Sequence, residues 1–320
     1  MAEKVKIGIG APTYNSVQRL EQLLTSLEFY KDTNYDYRVV ILDDGTPDVN
    51  KRLEVKNLAA RFGVDFIQHE KNEGIPKSWN DLTEHFSDSD LTILFNDDIT
   101  VSQNWLRNCV YFMQNNPEVG TVGFPIIHID PITQLPVKQY TPPSEDETPH
   151  RVGSANGCSF CFRTALWKQI KQIDGCTGFL NLLKSFYEEL DFNIEIAKLG
   201  YQIFQMPTPL LGHHGSRTFS LNQNLAYRTP VDYFPVEEYL LKLKENKNLW
   251  IPYEQHEELA KKNNLVLRMD YARMIYAKKW GCIDYLNNPQ QETHHKYIDP
   301  QKQIVVKWLD KDGNQKEQLI

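Results

Sequence analysis

The sequence predicts an α/β protein: a mostly parallel central sheet flanked by helices, followed by a mainly helical C-terminal segment. Three observations predict it. Short apolar runs alternate with stretches of helical period from residue 4 to residue 206, the order expected of successive βαβ units. The run Leu91, Ile93, Leu94 and Phe95 has the unbroken apolar character of a strand covered on both faces. The polar clusters all follow predicted strands, so they gather on one edge of the sheet, where such folds bind ligands.

The elements can be justified in order. Residues 4–11 form a strand through Val5, Ile7 and Ile9, ending in Pro12, Thr13, Tyr14 and Asn15. Ser16 is placed to cap a helix that carries Leu20, Leu23, Leu24 and Leu27 at helical spacing. Residues 38–42 make a second strand, ending in Asp43, Asp44, Gly45 and Thr46, and a helix follows through Phe62. The third strand, 64–68, ends near Asn72, Glu73 and Gly74, and Pro76 opens the next helix at its first turn. The strand from Leu91 stops at Asn96, Asp97 and Asp98, before a helix over 103–114.

Residues 119–125 are a further strand, whereas 130–150 are rich in Pro, Thr and acids without a period and read as a long surface loop. Residues 153–163 return to the sheet, and 164–173 look helical. A helix over 185–200 carries Glu188, Glu189 and Asp191 near its start and Gly200 as its C-terminal cap. A strand at 201–206 precedes His213 and His214. Beyond residue 220 the character changes. Residues 235–246 and 254–279 read as amphipathic helices, and 304–309 with 315–320 as a small hairpin around Asp312 and Gly313. The expected organisation is one domain over 1–220 and a C-terminal appendage over 221–320.

Composition narrows the function. The 320 residues are 41% hydrophobic and 24% charged, an ordinary globular balance that allows a large core. The formal net charge of −7 argues against a general grip on nucleic acid. No apolar run approaches the roughly 18 residues of a membrane span, so the expected location is the cytoplasm. The five cysteines, Cys109, Cys158, Cys161, Cys176 and Cys282, are odd in number and scattered, which suits reduced thiols. Cys158 and Cys161 have CxxC spacing but no second pair, and read as small hydrophobes in a strand.

The acids carry the chemistry. Adjacent carboxylates at a strand end repel one another and resist burial without a positive partner. Asp97 and Asp98 are therefore either a helix-capping turn or the seat of a divalent cation holding a phosphate. Asp43 and Asp44 have turn chemistry as their plainer reading, and Glu188 and Glu189 have helix-dipole chemistry. Four polar strand ends meeting beside an acidic pair favour a site over four separate turns.

Taken in order, these segments resemble the family 2 glycosyltransferases of the GT-A fold, a Rossmann-like architecture. Pro12, Thr13, Tyr14 and Asn15 look like the family's opening strand end. Asp43, Asp44, Gly45 and Thr46 look like its nucleotide-contacting motif. Asn72, Gly74 and Asn80 fit its Asn-x-Gly…Asn segment, and Asn96, Asp97 and Asp98, with Trp105 and Leu106 downstream, look like its DxD metal motif. Residues 153–163 are similar to its acceptor-side strand, and Glu188, Glu189, Leu190 and Asp191 resemble its Glu-Asp-x-Asp helix start. His213 or His214 stands where many members carry a third metal ligand. The match covers about residues 5–220.

The sequence departs from the pattern at three places. Asn96 replaces the first Asp of the DxD, leaving Asp98 as the main metal ligand. Trp79 stands where an Arg often precedes the Asn, with Lys77 as a substitute charge. Glu189 replaces the usual Asp.

The resemblance implies an inverting transfer of a sugar from a UDP or dTDP sugar to an acceptor hydroxyl, with Mn²⁺ or Mg²⁺ as cofactor. It implies nucleotide contacts from Pro12 to Asn15, Asp43, Asp44, Asn72, Gly74, Lys77, Asn80, Asn96 and Asp97. It implies metal ligation by Asp98 with His213 or His214. It implies an acceptor-side base, for which Glu189 is the first candidate, with Glu188 next and Asp191 after it. A surface-glycan precursor is the expected acceptor. A modified nucleic-acid base or a protein is the alternative, and a non-catalytic nucleotide-sugar or glycan-binding domain is another. A nucleotidyltransferase is disfavoured, since no Gly-rich phosphate loop follows the first strand.

Overall fold

The computed structural model describes residues 4–130, 135–139, 147–214, 228–230, 233–245, 251–282, 293, 296–299 and 301–320. The first half runs β1 (Lys6–Thr13), α1 (Val17–Phe29), β2 (Asp36–Asp43), α2 (Val49–Phe62), β3 (Asp65–Gln68), α3 (Ile75–His85), β4 (Leu91–Phe95), β5 (Ile99–Thr100), α4 (Trp105–Asn115), β6 (Val119–Gly123), β7 (Ile126–Ile129) and β8 (Pro136–Gln139). It continues through β9 (His150–Arg151), β10 (Ser159–Arg163), α5 (Thr164–Gln169), α6 (Glu188–Lys198), β11 (Gln202–Gln205) and β12 (Leu211–His213). The C-terminal part holds β13 (Arg228–Pro230), α7 (Val236–Glu245), α8 (Tyr253–Asn263), β14 (Leu265–Leu267), α9 (Arg268–Trp280), β15 (Val305–Leu309) and β16 (Gln315–Leu319).

The central sheet has the order β3-β2-β1-β4-β10-β6-β11-β9. β1 pairs in parallel with β2 and β4, β2 with β3, and β6 with β11. β10 is reversed against both its neighbours. This is the α/β architecture that the apolar runs predict.

Side-chain alternation along the strands builds two cores. Ile41, Ile93 and Phe95 face one side with Ile7, Leu23 and Phe112. Val40, Leu42 and Leu94 face the other with Trp79, Phe160 and Phe179, as a two-residue period requires. α7, α8 and α9 form a third core with Leu180, Leu183, Tyr187 and Ile194. The terminal hairpin of β15 and β16 packs Val306 and Trp308 into the first core.

Two features of this topology position a site. Parallel pairing brings the C-terminal ends of β1, β2 and β4 to one edge, at Thr13, Asp43 and Phe95. Because β10 is reversed, it enters the sheet at that same edge, with Ser159 opposite Phe95. A second sheet, β5-β12-β7-β8, places His213 between Ile99 and His128.

Local readings needed four corrections. Ser16 occupies the N-cap position of α1 without a side-chain capping bond, because its hydroxyl turns to Asp97. The single helix expected over 254–279 is two, α8 and α9, broken where Asn264 turns left-handed and β14 pairs with β13. The helix expected over 164–173 stops at Gln169, and Lys171 bridges to Thr177. Within 130–150, β8 pairs with β7 and His150 begins β9, so the stretch is not all loop; residues 131–134 and 140–146 lie outside the described residues, as does residue 246 of the helix expected over 235–246.

Candidate active site

The turn after β4 carries the densest cluster of acids. Asp98 is 4% exposed; its Oδ2 lies 3.2 Å from His213 Nε2 and 3.8 Å from Arg19. Its Oδ1 is buried without a hydrogen-bond partner, as is His213 Nδ1. A buried carboxylate oxygen normally finds a donor, so the open Oδ1 of Asp98 is an oxygen that could accept a cation. One carboxylate and one imidazole form a donor set open to several divalent ions. Among the described residues no cluster of three or more metal-holding side chains is preformed. A bound ion would therefore complete its shell from phosphate oxygens and water, the usual habit of Mg²⁺-type sites. Among the described residues, those present fit such an ion.

His214 plays a different part. Its backbone N–H donates to the Asp98 carbonyl at 2.9 Å, and its Nε2 lies 3.2 Å from Thr100 Oγ1. Of the two histidines, His213 is the one facing Asp98. Asp97 accepts from Thr13 Oγ1 at 2.6 Å and from the Ser16 hydroxyl. Burial and the neighbouring Asp98 push its carboxyl up to about 7, against the pull of those hydroxyls and Arg19. The Asn96 backbone N–H donates to the Cys158 carbonyl at 2.9 Å, which ties this turn to the start of β10.

The loops after β2 and β3 are bound to each other. Asp44 Oδ1 accepts from His69 Nδ1 at 2.8 Å and from the Glu73 N–H at 2.9 Å, and Oδ2 accepts from the Gly74 N–H at 3.0 Å. His69 Nε2 meets Asp81 at 2.8 Å. Hydrogen bonds to two carboxylates raise His69 to about 9, more than burial lowers it. Gly74 has φ +96°, and a Cβ there would lie 2.4 Å from the Lys184 carbonyl oxygen, so only glycine fits. Asp43, fully buried, accepts from the Thr46 N–H at 3.2 Å and has Arg52 3.8 Å away, while its Oδ2 makes no hydrogen bond.

The other predicted nucleotide residues divide by how much bonding capacity they have left. Asn80 has none. Its amide nitrogen donates to the Phe179 carbonyl and to Asn181, and its oxygen accepts from Trp167 Nε1 and the Phe179 N–H. Lys77 pairs with Asp81. Tyr14, Asn15 and Asn72 are exposed at the same edge, while Pro12 is buried.

The acids that open α6 reach this edge from the other side. Glu189 is half-buried, and its carboxyl lies against Gly157, where an added Cβ would come within 2.8 Å of Glu189 Cδ. Burial raises its carboxyl, and backbone N–H groups at the helix start pull it back. Glu188 is buried, its Oε2 unpartnered, and burial with the adjacent Glu189 pushes it well up. Asp191 is committed elsewhere: it is fully buried, with Lys279 at 2.6 Å, Trp280 Nε1 at 3.0 Å and Gln172 at 3.0 Å.

Cys158 follows Gly157 and reaches His213. Its Sγ is 3.9 Å from His213 Nε2. Burial, followed by Asp98, Glu189 and Glu188, holds its thiol far above the usual range. Asp98 and His213 thus adjoin Cys158, and Glu189 lies against the preceding residue, Gly157. Sequence reasoning missed Arg19 and the position of Cys158. The signal for Arg19 was its place in the first turn of the helix after β1; the signal for Cys158 was its place just ahead of β10. A cleft of about 410 Å³, lined by Leu24, Tyr35, Arg38 and Asp65 among others, opens at the opposite edge of the sheet and holds none of these groups.

Comparison with known proteins bears on the family and the fold. A family model described as glycosyl transferase family 2 matches residues 9–178. No curated protein matches the chain. Among solved structures, one described as GalNAc-T7 with UDP, GalNAc and Mn²⁺ superposes with a TM-score of 0.53 at 13% identity. The match covers 82% of this chain and 56% of that one, so this chain spans little more than half its neighbour's length. At that identity the likeness is one of fold.

Proposed function

The chain belongs to glycosyl transferase family 2 and is a nucleotide-sugar glycosyltransferase, and from that premise we propose that it is a metal-dependent, inverting enzyme using a UDP or dTDP sugar. The observation that carries the reading is that His213, beside Asp98, adjoins Cys158 while Glu189 lies against Gly157, the residue before it. One acidic group is suited to a cation and the other to a proton. Asp98 and His213 would hold the ion, which when bound neutralises charge on the diphosphate leaving group. The solved neighbour crystallised with UDP and Mn²⁺ supports that choice.

Glu189 is the proposed base. It is half-buried and raised by its surroundings, so it is better matched to taking a proton near neutral pH than an ordinary carboxylate. Glu188 stands behind it, more deeply buried. Asp191 comes last, because Lys279 and Trp280 already occupy its oxygen.

On the donor side, Tyr14, Asn15 and Asn72 are exposed at the strand-end edge, and Asp43 keeps one carboxylate oxygen without a hydrogen bond, so these are the groups we assign to the nucleotide. Asp44, Gly74 and Asn80 act by shaping the loops that form its bed. The acceptor is a hydroxyl, and a glycan is the class proposed. We keep the division near residue 220 as part of this reading, with the C-terminal helices supporting α6. Among the described residues no helix is long and apolar enough to cross a membrane.

The test is direct. UDP titrated calorimetrically with and without Mn²⁺ should bind more tightly with the metal, and an anomer-resolved NMR assay of transfer should show inversion. Equal UDP affinity with and without Mn²⁺, or a retained anomeric configuration, overturns the corresponding part.

A further inference from the structure

The backbone that delivers Glu188 and Glu189 is unusual. Lys184, Phe186 and Tyr187 have φ of +60°, +71° and +64°, and none is glycine. Left-handed backbone is disfavoured for residues with a Cβ, and most of all for bulky ones. Such a turn persists only where its surroundings over-determine it, and it is found most often at functional sites.

The surroundings here hold it from both ends. At its start, the Lys184 carbonyl accepts from the Ile75 N–H at 2.8 Å and lies against Gly74. At its end, Tyr187 is 9% exposed, packs 5.2 Å from the Tyr276 ring, and accepts at its hydroxyl from Arg273 Nε at 2.8 Å. One turn further on, Asp191 is pinned by Lys279, whose side chain is 5% exposed and also reaches Glu195 at 2.8 Å and Gln172 at 2.6 Å. Tyr276, Arg273, Lys279 and Trp280 all belong to α9, from the C-terminal segment beyond the matched family region.

We propose that Arg273 and Lys279 are positioning residues for the transfer reaction. Arg273 acts through the Tyr187 hydroxyl and Lys279 through Asp191. Together they hold the left-handed turn and the first turn of α6, so that Glu189 stays against Gly157 and Cys158. The claim rests on Glu189 being the base. It gives the C-terminal segment a role in the chemistry: α9 is the back wall of the acceptor side. Neither residue touches the reacting atoms, and the turn meets the nucleotide bed at the Lys184 carbonyl, away from both Arg273 and Lys279. Loss of the Arg273 contact should therefore slow turnover without weakening the nucleotide.

The experiment uses the full chain with Tyr187→Phe, Arg273→Gln and Arg273→Lys. Tyr187→Phe keeps the ring and removes only the acceptor oxygen. Two readouts are taken: kcat for nucleotide release from a panel of UDP and dTDP sugars with Mn²⁺, and calorimetric UDP affinity. Tyr187→Phe and Arg273→Gln should lower kcat about tenfold with UDP affinity within twofold of the parent, and Arg273→Lys should recover part of the loss. Normal kcat in both variants, or a proportional loss of UDP affinity, overturns the proposal. Hydrogen–deuterium exchange over residues 187–191 supplies a readout independent of turnover. It should quicken severalfold in Tyr187→Phe while β1 and β4 stay as in the parent, and unchanged exchange overturns the proposal. A parent chain that binds UDP yet turns over none of the sugars refutes the catalytic reading instead. The positioning of α6 is then decided by the exchange result alone.

Discussion

His69 links the loops of the nucleotide edge, and its charge state should govern their stability. Its ring touches Asp44 at one nitrogen and Asp81 at the other, both at 2.8 Å. Only the imidazolium donates to both carboxylates at once. The folded protein therefore holds the proton more tightly than the unfolded chain, raising the group from 6.5 to about 9. The sign follows from linkage. A raised basic group stabilises the fold fully below its unfolded pKa, and the gain is lost as pH rises through the folded value.

A shift of that size is worth about 3 kcal/mol below pH 6, about 2 kcal/mol at pH 7.5 and under about 0.5 kcal/mol at pH 9, at 1.36 kcal/mol per unit. The His69 side chain is 12% exposed, so solvent screening takes little from this. His69→Gln should be less stable than the parent near pH 6 by about 2–3 kcal/mol, and the gap should close by pH 9.3. Urea unfolding of both proteins at pH 6, 7.5 and 9.3 measures the difference and cancels every titration they share. Two stability curves that stay parallel over that range refute the reasoning, because the His69 proton would then not be coupled to folding.

Three further outcomes are expected. Asp98→Ala should remove most of the Mn²⁺-dependent gain in UDP affinity while Asn96→Ala costs less, as calorimetry with and without Mn²⁺ would show; an Asp98 variant that keeps the gain excludes it as ligand. Glu189→Gln should lower single-turnover transfer by roughly 10²- to 10⁴-fold with UDP affinity unchanged, and Glu188→Gln should be milder; near-normal transfer in both leaves the acids with a helix-dipole role only. Trp308→Ala, which empties a 6%-exposed site in the first core, should destabilise the chain by about 3–5 kcal/mol, and a loss under 1 kcal/mol in urea unfolding would mean the hairpin is detached from that core.

The main strands of the central sheet and the edge on which their polar ends gather were legible in the sequence because they depend on local pattern, whereas the sheet order was not. An apolar run such as Leu91 to Phe95 can only be buried, and the polar residues after it can only lie at the strand's end. The resemblance to a family rested on the same local motifs, and the family match bears it out. The state of each polar side chain was not legible, because its partners lie far along the chain. Asp44 is held by His69, Glu73 and Gly74, Asn80 by Trp167, Phe179 and Asn181, and Asp191 by Lys279 and Trp280. Each reads in sequence as a free ligand, and each is spent on the fold.

Cys158 shows the converse. In sequence it is a small hydrophobe in a strand, yet the reversal of β10 brings it to the strand-end edge, 3.9 Å from His213. The reason is the same throughout. The sequence determines which groups are polar and where each strand must end. Whether a polar group is left over for a substrate depends on which distant donors and acceptors the packed structure brings within 3 Å of it, and only the tertiary fold decides that.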